Sequence, residues 1–285
     1  MIKTRFRRIV TLLFPITVLA LGLHSGVVFA KSKHTAAKVN NPNQLAGSQG
    51  LNNIYIAVRH GESVPSAEHR VCGTMEAGTD PANGLTAKGR EEVKQSTLNW
   101  IKENKKVLIP YLEKNNLVII TSPFSRTRET ADIVADTIQG KLKKYFPKSM
   151  QQPGALKANI IVENNLRERF FGKFEGQGNS DDVYKQVWAE DAKNPNNTKE
   201  QVESPNAVQS RTTGVVANLE KTSSATSGGK VYLLVSHGDS LKILQTGFQK
   251  QSASAHCNPN FVPKFKTAEF RQFTLGGTST STATR

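Results

Sequence analysis

Two short apolar runs set the frame for this chain. IYIAV (54–58) and VYLLV (231–235) are each followed by one residue and then by His-Gly: Arg59-His60-Gly61 in the first case, Ser236-His237-Gly238 in the second. Runs this short, without polar alternation and rich in β-branched and aromatic residues, read as strands buried on both faces. LVII (117–120) is a third. Between them lie segments of helical period. The pattern predicts helices over 86–104 with Thr86 as N-cap, over 123–139 with Ser122 as N-cap and Pro123 at the first position, and over 181–189, 205–219 and 240–248. Further strands are expected at 159–162 and 269–275. This alternation predicts an α/β three-layer sandwich, a mostly parallel open sheet with helices on both faces. Ligands of such sheets bind beyond the C-terminal strand ends, where both His-Gly pairs fall.

The first thirty residues stand outside this pattern. Lys3, Arg5, Arg7 and Arg8 precede an apolar stretch from Ile9 to Leu23, and Val28-Phe29-Ala30 offers small residues for cleavage. This reads as a secretory signal over 1–30, with an apolar stretch short for a membrane span and interrupted by Pro15. An uncleaved anchor is the alternative. Export makes the expected location periplasmic or secreted, with no stable membrane insertion after cleavage. Losing four cations and no anion takes the formal charge from +15 to +11. The cations are scattered and few aromatics accompany them, so no nucleic-acid partner is expected; an anionic substrate fits better. Residues 31–50 read as a flexible polar lead, 51–276 as the functional domain, and 277–285 as a frayed tail. Cys72 and Cys257 are the two cysteines of the chain; in an exported protein they could pair.

Four clusters meet at the rim of the expected sheet. Arg59, His60 and Glu62 follow the first strand; TSPFSRTRETA (121–131) carries Arg126 and Arg128 into a helix start; NNLRERFFGKFEG (164–176) carries Glu168 between two arginines; Ser236-His237-Gly238 closes the set. Guanidinium forks and a helix N-terminus suit a phosphate dianion. An imidazole kept neutral by cationic neighbours can attack phosphorus. The leaving oxygen needs a proton, and Glu168 is the best candidate to supply it. The glycines after each histidine are expected to allow close approach of backbone and ligand. His60, His237 and Glu168 also have metal-ligand chemistry, but Arg59 and Arg126 beside them argue against a cation, so neither metal nor cofactor is expected.

In this order RHGES, GLTAKG, TSPFSRTRETA, LRERFFGKFEG and VSHGD resemble the histidine phosphatase superfamily, branch 1, the phosphoglycerate mutase-like fold, over roughly residues 52–275. LRERFFGKFEG is similar to the fructose-2,6-bisphosphatase-like, broad phosphatase members. The resemblance implies that His60 is the nucleophile that becomes phosphohistidine, that Arg59, Arg126 and His237 hold the phosphate, and that Glu168 is the proton donor. Ser66 stands where the family carries a phosphate-binding asparagine, and a serine offers one donor. Arg70 falls on a family arginine position.

An exported phosphomonoesterase acting on a small anionic phosphate ester is therefore the leading expectation. A phosphoglycerate mutase-type phosphoryl transferase and a non-catalytic phospholigand-binding module are the alternatives. Residues 76–83 and 193–204 are expected to shape the mouth of the pocket.

Overall fold

A computed structural model describes residues 41–223, 229–277 and 280–281 of the chain. The expected signal segment 1–30 and the first part of the expected lead lie outside the described residues. Six strands form one sheet in the order β3-β2-β4-β1-β5-β6. They are β1 (Ile54–Arg59), β2 (Leu117–Thr121), β3 (Ile160–Val162), β4 (Val231–Ser236), β5 (Phe270–Phe273) and β6 (Thr280–Ser281). β3, β2, β4 and β1 run parallel, and β5 and β6 add antiparallel on the far side. The register places Arg59 opposite Ser236, so the two strands end level and deliver His60 and His237 side by side.

The pleat divides the buried residues into two layers. Ile56, Val58, Ile119, Leu233 and Val235 face one way, onto Trp100 and Ile101 of α3 (Ala87–Glu113) and Ala131, Val134 and Ile138 of α4 (Ser125–Leu142). Tyr55, Ala57, Ile120, Tyr232 and Leu234 face the other way, onto Val215 and Val216 of α6 (Pro205–Ser223) and Leu241, Leu244 and Phe248 of α7 (Gly238–Phe248). The three-layer expectation from the apolar runs holds. A smaller cluster joins Val183 and Val187 of α5 (Ser180–Asp191) to Val71, Phe171 and Val202. Two short helices, α1 (Val64–Ala67) and α2 (Met75–Thr79), precede α3; the sequence pattern was too short to reveal either.

The boundaries differ from the sequence reading where side chains have other work. Thr86 caps α3 as expected, accepting from the Gly89 N–H. The helix then runs on to Glu113, through Pro110, instead of ending near residue 104. A proline inside a helix removes a hydrogen bond, but Leu108 and Leu112 on either side of it are buried in the core and hold the last turns down. α4 begins at Ser125, two residues later than predicted. Ser122 is not its N-cap; its hydroxyl lies 2.8 Å from His237 Nε2.

The expected flexible lead is corrected over its second half. Asn43 donates to the Gly247 carbonyl at 2.9 Å, the Gln44 N–H reaches Thr213 Oγ1 at 3.0 Å, and Leu45 is buried in the α6–α7 layer. One leucine in a polar stretch is too sparse a signal for sequence pattern, yet it anchors the segment, and the folded unit begins ahead of residue 51. In the expected tail, Thr280–Ser281 pairs with Arg271–Gln272. No helix among the described residues is long and apolar enough to cross a membrane.

Candidate active site

A cavity of about 240 Å³ opens at the C-terminal ends of β1 and β4, walled among others by Arg59, His60, Arg126, Glu168 and Tyr184. His60 follows β1 directly and is buried. Its Nδ1 lies 2.7 Å from the Gly61 carbonyl oxygen, which can only accept. Nδ1 therefore carries the proton, and Nε2 is left with a bare lone pair. That lone pair accepts from Arg126 Nε at 3.3 Å. Burial and then the charges of Arg126 and Arg59 hold the His60 proton affinity well below the ordinary histidine range. The imidazole is thus neutral, with its nucleophilic nitrogen turned toward a guanidinium.

Arg126 sits in the first turn of α4, almost fully buried, and its Nη2 donates to the Cys72 carbonyl at 2.8 Å. Arg59 donates from Nη1 to the Phe265 carbonyl at 2.7 Å, while its Nε is buried with no protein partner among the described residues. His237 lies behind His60, ring centres 5.2 Å apart, fully buried and away from the cavity wall. Its Nε2 is engaged by Ser122, its Nδ1 has no partner among the described residues, and burial followed by Arg126 keeps the ring neutral. Arg59 Nε and His237 Nδ1 are thus two buried nitrogens without a partner among the described residues, and His237, expected to hold the phosphate, stands behind the cavity wall rather than in it.

Glu168 approaches from the loop after β3. Its Oε1 accepts from the Arg169 N–H at 2.9 Å and from Ser240 N and Oγ, each at 3.1 Å. Burial first, and the Asp239 charge second, push its carboxyl above the usual carboxylate range. Glu175, the other acid of that loop, has its oxygens on the Gly73 and Phe171 N–H groups, each at 2.7 Å, and does not line the cavity. It knits the loop together.

Ser66 does line the cavity, but its hydroxyl donates to the Ser63 carbonyl at 2.8 Å and accepts from the Ser63 N–H at 2.7 Å, closing the first turn of α1. Arg70 also lines it, held by Glu68 and by Asn83 Oδ1 at 3.0 Å. Glu62 is turned toward the start of α3, where Lys88 and Thr86 bind it and lower its proton affinity. Arg128 is exposed on α4.

Two expectations are corrected here, and the pairing of Cys72 and Cys257 that the sequence left open is answered. Gly61 is required by packing of the strand end on α3, not by ligand approach: a Cβ there would stand 2.5 Å from the Gly89 carbonyl oxygen. Neither 76–83 nor 193–204 lines the cavity; His69, Asp181, Tyr184 and Lys264 are among the residues that do. Cys72 and Cys257 are free, Cys72 in the cavity wall beside Arg126 and Cys257 next to His256. Asp191, His256 and Cys257 bring possible ligand atoms within 4.8 Å of one another. Both Asp191 oxygens, however, are clamped by Arg169 at 2.6 and 2.9 Å, so a guanidinium already occupies the position a cation would take. Sequence reasoning missed Tyr184, Cys72 and Lys264. They arrive from separate segments, and no local motif marks them.

A neutral buried imidazole, two arginines and a raised carboxyl at the strand ends of an α/β sandwich define a phosphoryl-chemistry site. Residues 150–263 match the family model of the histidine phosphatase superfamily (branch 1), and with the fold this bears out the resemblance seen in the sequence. The match takes in the LRERFFGKFEG and VSHGD motifs; RHGES lies ahead of it. Among solved structures, the mycobacterial glucosyl-3-phosphoglycerate phosphatase Rv2419c in complex with VO3 is similar in fold, with a TM-score of 0.55, 17% identity, and coverage of 77% of this chain and 90% of that one. Bacillus stearothermophilus YhfR gives 0.53 at 23% identity, covering 81% and 95%. A phosphoserine phosphatase from Entamoeba histolytica, in complex with phosphoserine, gives 0.53 at 16%, covering 81% and 95%. Comparison with curated proteins finds no match. The family match supports a phosphatase or phosphoryl-transfer function.

Proposed function

We propose that this protein is an exported phosphomonoesterase that hydrolyses a small anionic phosphate ester through a phosphohistidine at His60. The observation that carries this reading is the tautomer of His60. Its proton is tied to the Gly61 carbonyl and its bare Nε2 faces the cavity beside Arg126, the state an attacking imidazole requires. Substrate phosphate is held by Arg126 and Arg59, whose Nε is left without a protein partner among the described residues. Nε2 attacks phosphorus in line, the P–O bond to the alcohol breaks, and Glu168 gives its proton to the departing oxygen. Water then attacks the phosphohistidine, Glu168 takes a proton from it, and inorganic phosphate leaves. Catalysis is chiefly positioning and charge stabilisation. Ser66 contributes through the shape of α1, since its proton is already given to Ser63.

The size of the cavity, about 240 Å³, is below the usual range for drug-sized ligands and favours a small ester. Similar proteins whose names specify glucosyl-3-phosphoglycerate and phosphoserine agree with that class. The test is rapid acid-free quenching of protein turning over a 32P-labelled ester. Acid-labile, base-stable label on the wild-type protein and none on His60→Ala is the expected result; turnover retained in His60→Ala would overturn the covalent route.

A further inference from the structure

Glu168 and Asp239 come from different segments, one from the loop after β3 and one from the first turn of α7, yet they are fastened as a unit. Arg169 and Ser240 each give a backbone N–H to Glu168 Oε1. The same two residues fix Asp239. Ser240 is its chain neighbour, and Arg169 Nη1 lies 3.1 Å from Asp239 Oδ2. Trp188 Nε1 donates to the other oxygen, Oδ1, at 2.9 Å. Neither the acid loop nor the start of α7 can shift without the other.

This pattern also sets which oxygen of Glu168 can carry a proton. Every donor to Glu168 goes to Oε1, leaving Oε2 as the atom to be protonated. Asp239, only 3% exposed, has a guanidinium on one oxygen and an indole N–H on the other, so both its oxygens are committed as acceptors. Two neighbouring carboxyl groups in unlike surroundings divide the roles of acid and anion between them. The division matters because cations surround Glu168. Arg126 of α4 and Arg59 at the end of β1 favour its ionised form, and Tyr184 of α5 lines the same cavity. Around Asp239 stand Arg169, Lys242 one turn along α7, His256 with Nε2 at 3.9 Å, and Cys257.

We propose that Asp239 is a positioning residue for the acid step: pinned by Arg169 and Trp188, its carboxylate locks the start of α7 against the Glu168 loop and keeps the proton on Glu168 Oε2, where the leaving oxygen needs it. This rests on the reading of Glu168 as the proton donor. The consequence is a pH signature. Without the Asp239 charge, Glu168 ionises at lower pH, so the protonated fraction near neutrality falls.

The experiment follows kcat/KM against pH for an alkyl phosphate and for p-nitrophenyl phosphate in the wild type, Asp239→Asn, Asp239→Glu and Asp191→Asn. Asp239→Asn should move the alkaline limb for the alkyl ester to lower pH by about one unit or more, with the wild-type rate regained on the acid side. Its p-nitrophenyl phosphate profile should stay in place, because that leaving group departs without a proton. Asp239→Glu should restore the limb. Asp191→Asn, which removes the other anion on Arg169, should leave it unmoved. An unmoved limb in Asp239→Asn, or equal loss on both esters at every pH, overturns the inference. Should Asp239→Asn not fold, Asp239→Ser takes its place; failure of both while Asp191→Asn folds makes Asp239 purely structural and overturns it as well. Glu168→Gln separates the two levels. If it slows both esters equally, the donor reading itself fails. If it removes the alkaline limb that Asp239→Asn leaves in place, only the present inference fails.

Discussion

Arg126 Nε stands 3.3 Å from His60 Nε2, a guanidinium donating to the lone pair of a buried neutral imidazole. That contact adds to burial in holding the nucleophile neutral. Burial and Arg126 are the two largest influences lowering the His60 proton affinity. Replacing Arg126 with alanine makes the imidazole easier to protonate, and an imidazolium cannot attack. The acid limb of the pH–rate profile should therefore move to higher pH in Arg126→Ala, in addition to a loss of rate for alkyl and aryl esters alike. A stopped assay of phosphate release between pH 4 and 8 reads both effects; an acid limb that stays where it was would separate Arg126 from the control of His60.

The same two rings make stability depend on pH. His60 and His237 are both held neutral in the fold, with proton affinities well below the ordinary histidine value near 6.5. Below that value the unfolded chain binds protons that the folded chain refuses, so stability present above it is lost as the pH falls. Each group contributes at most about 1.4 kcal/mol per pH unit in that window. The thermal midpoint should drop between pH 7 and 5, and His237→Gln should flatten the drop. A slope unchanged by His237→Gln would mean that the ring already charges inside the fold.

A third expectation concerns the buried ion pair behind the site. Arg169 and Asp191 are both fully buried, bridged at 2.6 and 2.9 Å. Removing one partner of a buried pair leaves an uncompensated charge and costs about 3–5 kcal/mol. Asp191→Ala should fall near about 3 kcal/mol, the lower end of that range, because Arg169 keeps Asp239. Urea unfolding measures it, and a loss below about 1 kcal/mol would show that Asp239 alone suffices for Arg169.

The sheet was legible in the sequence because its central strands announce themselves. IYIAV, LVII and VYLLV are apolar on both faces, and the His-Gly pairs that end β1 and β4 fix where the site must lie. The partners of those motifs were legible only as residue types. Nothing in TSPFSRTRETA says that Ser122 leaves its helix cap for His237, because that bond spans 115 residues. The 41–50 segment read as a loose lead because a single buried leucine has no period. Tyr184 and Lys264 reach the cavity from α5 and from the segment before β5, and the chain order carries no mark of that meeting. Gly61 was assigned to ligand approach because it follows a histidine, whereas the backbone of α3 is what it touches.

Export is tested by the chain's own N-terminus. On the proposed export, the four cations before the apolar stretch 9–23 and the Val28-Phe29-Ala30 sequence predict cleavage after Ala30, leaving Lys31 first. Among the described residues Leu45 is the first fully buried side chain, fifteen residues past the expected cleavage site. Full-length protein expressed with an intact secretion machinery should be recovered outside the cytoplasm, and N-terminal sequencing should begin at Lys31. The processed and unprocessed forms should show the same kcat/KM on a soluble ester, because every residue walling the cavity lies beyond residue 58. Met1 recovered on membrane-bound protein would establish a retained anchor in place of a cleaved signal, and activity confined to the uncleaved form would tie the first thirty residues to the fold.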